Sequence, residues 1–160
     1  MYSGSGFSNW EIGDVDVFID EVGVHHLFHL IIPNHDYIAH AISKDGLSWK
    51  RVKNALWVGD PGEWDDDMLW TMHVSKNSAG EGYEMYYTGL KRQDKGITQK
   101  VGRAVSPDLI HWTKDNQYGL PLRSNAPYYE SRENNPREWL SFRDPYKYEF
   151  EGEDYLLICA

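Results

Sequence analysis

Two aspartates, Asp14 and Asp144, open matching stretches of the chain. Asp14-Val-Asp-Val-Phe18 is followed by His25-His-Leu-Phe28, and Asp144-Pro-Tyr-Lys-Tyr148 by Asp154-Tyr-Leu-Leu157. Each stretch reads as an aspartate, a strand, a glycine-bearing hairpin and a second strand. Residues at equivalent positions of repeated units converge on the axis those units share. Two carboxylates brought together there can serve at an electrophilic carbon: one attacks it or activates water, while a further acid protonates the leaving oxygen. Like charges at short range raise one another's pKa, which keeps one member of such a cluster protonated near neutral pH.

The elements that must position these groups are strands. Val15–Ile19, His25–Ile32, Tyr37–Ser43, Leu69–Ser75, Tyr83–Thr88, Lys100–Ser106, Tyr146–Phe150 and Tyr155–Cys159 are short, β-branched or aromatic, and bounded by turn residues. Turns stand at Asp20–Gly23, Ser78–Gly82 and Glu151–Glu153, and no segment keeps a helical period. Ala41-Ile-Ser-Lys-Asp-Gly-Leu-Ser-Trp49-Lys50 reappears as Ala104-Val-Ser-Pro-Asp-Leu-Ile-His-Trp112-Thr113, with 43, 45 and 49 mapping onto 106, 108 and 112. Antiparallel units that each close on a Ser-x-Asp-x-x-x-Trp hairpin suit the blades of an all-β propeller. Blade one spans about 14–58, blade two about 64–118, and a third starts near 142, so that about two and a half blades fit within 160 residues. Between them, 119–141 has no strand pattern and carries Tyr128, Tyr129, Arg132, Arg137 and Trp139, as a loop over a site rim or a plain excursion between blades would.

Composition excludes several classes. Acidic residues outnumber basic ones by 25 to 16 and no basic stripe is present, which argues against nucleic acid as a partner. The single cysteine, Cys159, rules out an intrachain disulfide. Nothing approaches an apolar membrane span and no signal-peptide pattern opens the chain, so a soluble protein, cytoplasmic or secreted, is expected. Seven Trp and eleven Tyr can serve both packing and stacking on sugars. The apolar run Tyr155–Ala160 would form an open sheet edge, which points to a fragment of a longer protein able to self-associate there.

Three pieces in order, Gly13-Asp-Val-Asp-Val-Phe18 with His26-Leu-Phe28, His40-Ala-Ile-Ser-Lys-Asp45 up to Trp49, and Ser141-Phe-Arg-Asp-Pro145, resemble glycoside hydrolase families 32 and 43. The block Tyr86-Tyr-Thr-Gly89 with Ser106-Pro-Asp-Leu-Ile-His-Trp112 fits the same resemblance. It implies a five-bladed β-propeller and a glycosidase acting on furanosides or related carbohydrates, with no cofactor. Asp14 would be the nucleophile in a retaining enzyme of the family 32 kind, or the general base in an inverting one of the family 43 kind. Asp144 would hold the sugar and stabilise the transition state, with Arg143 orienting both. Trp70, Thr71 and His73 would stand near the funnel, and His40 matches the blade-one His-Ala position, with packing as the equal alternative role.

The resemblance also marks departures. Met72-His73 replaces a small Gly-Ser pair, and Gly13-Asp-Val-Asp-Val17 replaces the Asn-Asp-Pro-Asn-Gly start that recognises fructose in family 32. The acid glutamate of these families lies downstream of Arg-Asp-Pro, and Glu149, Glu151 and Glu153 match no such motif, so the isolated chain is expected to be inactive. A silent carbohydrate-binding propeller and a glycoside phosphorylase remain the alternatives. No metal site is expected: His25, His26, His29, His35 and His40 lack cysteine partners and a His-Glu-x-x-His pattern. Asp65–Asp67 reads as a solvated acidic turn, with a calcium site as the sharper alternative.

Overall fold

The computed structural model describes Tyr2 and residues 11–78, 80–117, 120–125, 127–131 and 140–160. The amino-terminal stretch up to Trp10, apart from Tyr2, Tyr118 at the expected end of blade two, and Gly119, Arg132, Arg137 and Trp139 of the expected loop lie outside the described residues.

Among the described residues three antiparallel sheets follow one another. The first joins β1 (Glu11–Ile19), β2 (His25–Ile32), β3 (Tyr37–Ser43) and β4 (Lys50–Arg51), with short β5 (Leu56–Trp57) also on β3. In the second, β6 (Met68–Lys76), β7 (Tyr83–Leu90), β8 (Gln99–Ser106) and β9 (Thr113–Asp115) pair in sequence order. The third is the hairpin of β10 (Arg143–Phe150) and β11 (Glu153–Cys159). One 3₁₀ turn, Arg92–Asp94, lies between β7 and β8. This is the all-β propeller layout, with two four-strand meanders and the first two strands of a third. No helix among the described residues is long and apolar enough to cross a membrane.

The turns have local causes. Asp20 Oδ1 accepts the amides of Val22 and Val24 at 3.1 and 2.7 Å, closing the β1–β2 hairpin. Glu151 and Gly152 both take left-handed backbone (φ 52° and 79°), as a tight primed turn between β10 and β11 requires. The Ser-x-Asp-x-x-x-Trp repeats fold alike. Asp45 Oδ1 accepts the amides of Leu47 and Ser48 while the Trp49 indole donates to Gly46 O; Asp108 Oδ1 accepts those of Ile110 and His111 while Trp112 donates to Leu109 O. Gly46 and Leu109 occupy the same left-handed step, φ 70° and 65°.

The core lies between the first two sheets. Phe28, Leu30 and Ile38 pack with Leu69, Met72, Val74, Met85 and Tyr87, and Trp112 sets its edge on the Phe28 ring. Each such side chain contributes roughly 1.5–3 kcal/mol on burial. Trp64 lies flat over glycines: a Cβ at Gly89 or Gly102 would come within 2.4 or 2.6 Å of its ring.

The first strands of the three sheets pack together, with β6 between β1 and β10. Each carries a register slip near its start, between Ile12 and Val15, Trp70 and Met72, and Arg143 and Tyr146. A bulge re-aims the side chains within it. Asp14, Thr71 and Asp144 are the residues so placed.

Candidate active site

Asp14, exposed in its bulge, accepts a hydrogen bond from Thr71 Oγ1 at 2.6 Å. Two residues along β1, Asp16 Oδ2 accepts the Val74 amide at 2.6 Å and lies 3.4 Å from His73 Nδ1. The first two inner strands are therefore joined by side chains as well as by packing. His35 lies on the same side of the site: burial lowers its pKa, and the charge of Asp14 works against that shift.

Asp144 takes left-handed backbone, φ 58°, which is uncommon for a residue other than glycine and is held here by its neighbours. Its amide donates to Thr88 Oγ1 at 3.2 Å, and its Oδ2 lies 3.3 Å from Arg143 Nε. Arg143 Nη1 in turn donates to Gln99 Oε1 and Ser141 Oγ at 3.4 and 3.3 Å, and the Phe142 amide also donates to Gln99 Oε1. The guanidinium is thus oriented before any ligand arrives. Thr88 is the register partner of Trp70, the neighbour of Thr71, so both aspartates are tied to the same end of the second sheet.

A cleft of about 760 Å³ adjoins Arg143, with Trp70, Gln99, Lys95 and Asp67 among its lining residues. It has room for more than one sugar ring and offers apolar walls with a few polar groups, the usual balance of a small-molecule site.

The structure divides the expected residues. Asp14 meets Thr71, Asp144 pairs with Arg143, and Arg143 and Trp70 line the cleft. His73 faces protein on both ring nitrogens, Asp16 through Nδ1 and the Lys147 carbonyl through Nε2 at 3.1 Å. His40 takes the packing alternative. It is fully buried on central strand β3, stacks on Phe28 at 4.4 Å and lies 3.0 Å from His26 Nδ1, so it packs the core of the first sheet instead of touching a ligand.

Asp65 and Asp66 also correct the expected solvated turn. Asp65 is 1% exposed and accepts from the Tyr87 hydroxyl and the Lys114 ammonium; Asp66 accepts the amides of Gly62 and Arg92. Among the described residues no three His, Cys, Asp or Glu are grouped to hold a metal ion. Asp16, Thr88 and Gln99 were not singled out from the sequence, and His35 was weighed there only as a metal ligand. Asp16 had a signal in its two-residue spacing from Asp14, and Thr88 in its place within the Tyr-Tyr-Thr-Gly block.

The arrangement of sheets as propeller blades is shared with solved structures of glycosidases. The fold matches a fructofuranosidase from Schwanniomyces occidentalis complexed with fructose, at TM-score 0.65 and 19% identity over 92% of this chain and 29% of that one. A family 117 glycoside hydrolase from Zobellia galactanivorans matches at TM-score 0.72 and 15% identity, over 98% of this chain and 50% of that one. The model of the glycosyl hydrolases family 32 N-terminal domain covers residues 8–160, and the chain belongs to that family. A levanase of Bacillus sp. (strain L7) is 30% identical over 129 residues, 77% of this chain but 13% of the levanase. The chain therefore spans half or less of these relatives' length.

Proposed function

We propose that the protein carrying this chain is a glycosidase that cleaves furanosides, with fructans of the levan kind as the favoured substrate class. The observation that carries this reading is Asp14, exposed in a strand bulge with Thr71 as its donor, in a chain of family 32. Family membership favours the retaining course, in which Asp14 attacks the anomeric carbon and water later releases the sugar. Asp144 binds sugar hydroxyls and stabilises the positive charge that develops at the ring. Arg143, held by Gln99 and Ser141, fixes the Asp144 carboxylate and leaves further N–H groups for the substrate. Trp70, beside Arg143 in the cleft, supplies an aromatic wall.

Protonation of the leaving oxygen needs a third group. We assign it to a carboxylic acid outside residues 1–160, so these residues alone do not turn over. The test is release of reducing sugar from levan, inulin, sucrose and arabinan by the full-length protein and by residues 1–160. Activity of the full-length protein on the fructans or sucrose, with none from residues 1–160, supports the reading. Activity on arabinan alone moves the substrate class, and none on any glycoside refutes the assignment.

A further inference from the structure

Two side-chain contacts cross the seam between β1 and β6 with one stagger. Asp14 meets Thr71 and Asp16 meets His73, so both pairs are 57 positions apart and the second is the next rung along the seam. His73 also reaches the third sheet. Its Nε2 lies 3.1 Å from the Lys147 carbonyl oxygen, and its ring stacks on Tyr146 with centroids 4.2 Å apart. A carbonyl oxygen only accepts, so Nε2 bears the hydrogen. Nδ1 faces Asp16 Oδ2, an oxygen already fixed by the Val74 amide.

His73 thus touches β1 and β10 from β6. Thr71 stands two residues before it, Asp14 two before Asp16, and Asp144 three before Lys147. With both nitrogens directed at protein acceptors and one face against Tyr146, the ring is committed to joining strands and has little left with which to bind a sugar.

We infer that His73 is a positioning residue: it holds the three inner strands in the register that keeps Thr71 within donating distance of Asp14 and sets Asp144 beside them. The inference rests on the reading of Asp14 as the reacting carboxylate. Binding of the ground-state sugar does not depend on the Thr71 contact, whereas the aim of Asp14 at the anomeric carbon does.

The test uses two variants of the full-length protein. His73→Phe keeps a ring against Tyr146 and removes both polar contacts, whereas His73→Gln keeps amide N–H donors for the acceptors that face it. His73→Phe is expected to lower kcat by roughly 10- to 100-fold with KM within about twofold, and His73→Gln to recover part of the loss. A raised KM at unchanged kcat would make His73 a sugar contact, and a lowered Tm at unchanged kcat would make it structural only; either overturns the inference. If His73→Phe does not fold, Asp16→Asn carries the test, with a smaller kcat loss expected and an unchanged kcat overturning it. A wild-type protein that cleaves no glycoside defeats the glycosidase reading itself, whereas an active wild type matched in kcat by His73→Phe defeats only the positioning role.

Discussion

Thr71 Oγ1 donates a hydrogen bond to Asp14 Oδ2 at 2.6 Å across the seam between the first and second sheets. Hydrogen bonds to a charged partner contribute about 1.5–3 kcal/mol, and this one also sets the rotamer of the carboxylate. Thr71→Val is therefore expected to lower kcat of the full-length protein by about 10- to 100-fold, and Thr71→Ser to retain most of it. Steady-state kinetics on levan or sucrose check this.

Lys147 ties the third sheet to the second. Its side chain is 8% exposed, and its ammonium meets Glu84, Ser78 and, at 3.1 Å, Asp154. Burial lowers the Lys147 pKa, but the carboxylates of Glu84 and Asp154 outweigh it and leave the pKa raised. A raised folded value makes this contribution complete below the unfolded pKa of about 10.4 and lost as pH rises through the folded one. Glu84→Gln removes the partner of two cations, Lys147 and Arg103, and should cost about 3–5 kcal/mol in urea unfolding at pH 7. The alkaline decline of stability should shrink in the same variant.

His40 gives the opposite pH signature. Burial, with the neighbouring His26, Arg51 and His29, lowers its pKa to about 3. The unfolded chain binds a proton there below about pH 6.5 while the folded one stays neutral, so stability falls as pH drops from about 6.5 towards 3. His40→Leu should flatten this slope, measured as urea midpoints between pH 7 and 4.

Gly102 admits no side chain beneath the Trp64 ring, since a Cβ would stand 2.6 Å from two of its atoms and 2.8 Å from Tyr87. Gly102→Ala should destabilise the chain by about 1–3 kcal/mol and change the near-ultraviolet circular dichroism of the displaced indole.

The long strands were legible because alternation and turn chemistry agree there; β2 and β3 fall on the expected residues. Lys50–Arg51, Leu56–Trp57 and Thr113–Asp115 were not, since two or three residues cannot display a period and are held as strands by their neighbours. At the site, Asp14 and Asp144 stood out through their repeated surroundings. His73 was singled out, but its partners Asp16 and Lys147 were not, because contacts between inner strands depend on how sheets pack and leave no spacing within either strand. His40 stayed open between a site role and packing for a related reason: a motif position fixes a place on a strand but not which face is buried. Asp65 looked solvated because three acidic residues in a turn usually are, whereas Tyr87 and Lys114 approach it from elsewhere in the second sheet.

The central claim is that Asp14 is the carboxylate that reacts with the sugar. Its most direct test is kcat of full-length Asp14→Asn, a substitution that keeps size and shape and can still meet Thr71, measured beside wild type with matching Tm. A loss of about 10⁴-fold or more with the fold intact is expected, as removal of a nucleophile from a site that acts as a unit causes. Activity within tenfold of wild type would contradict it.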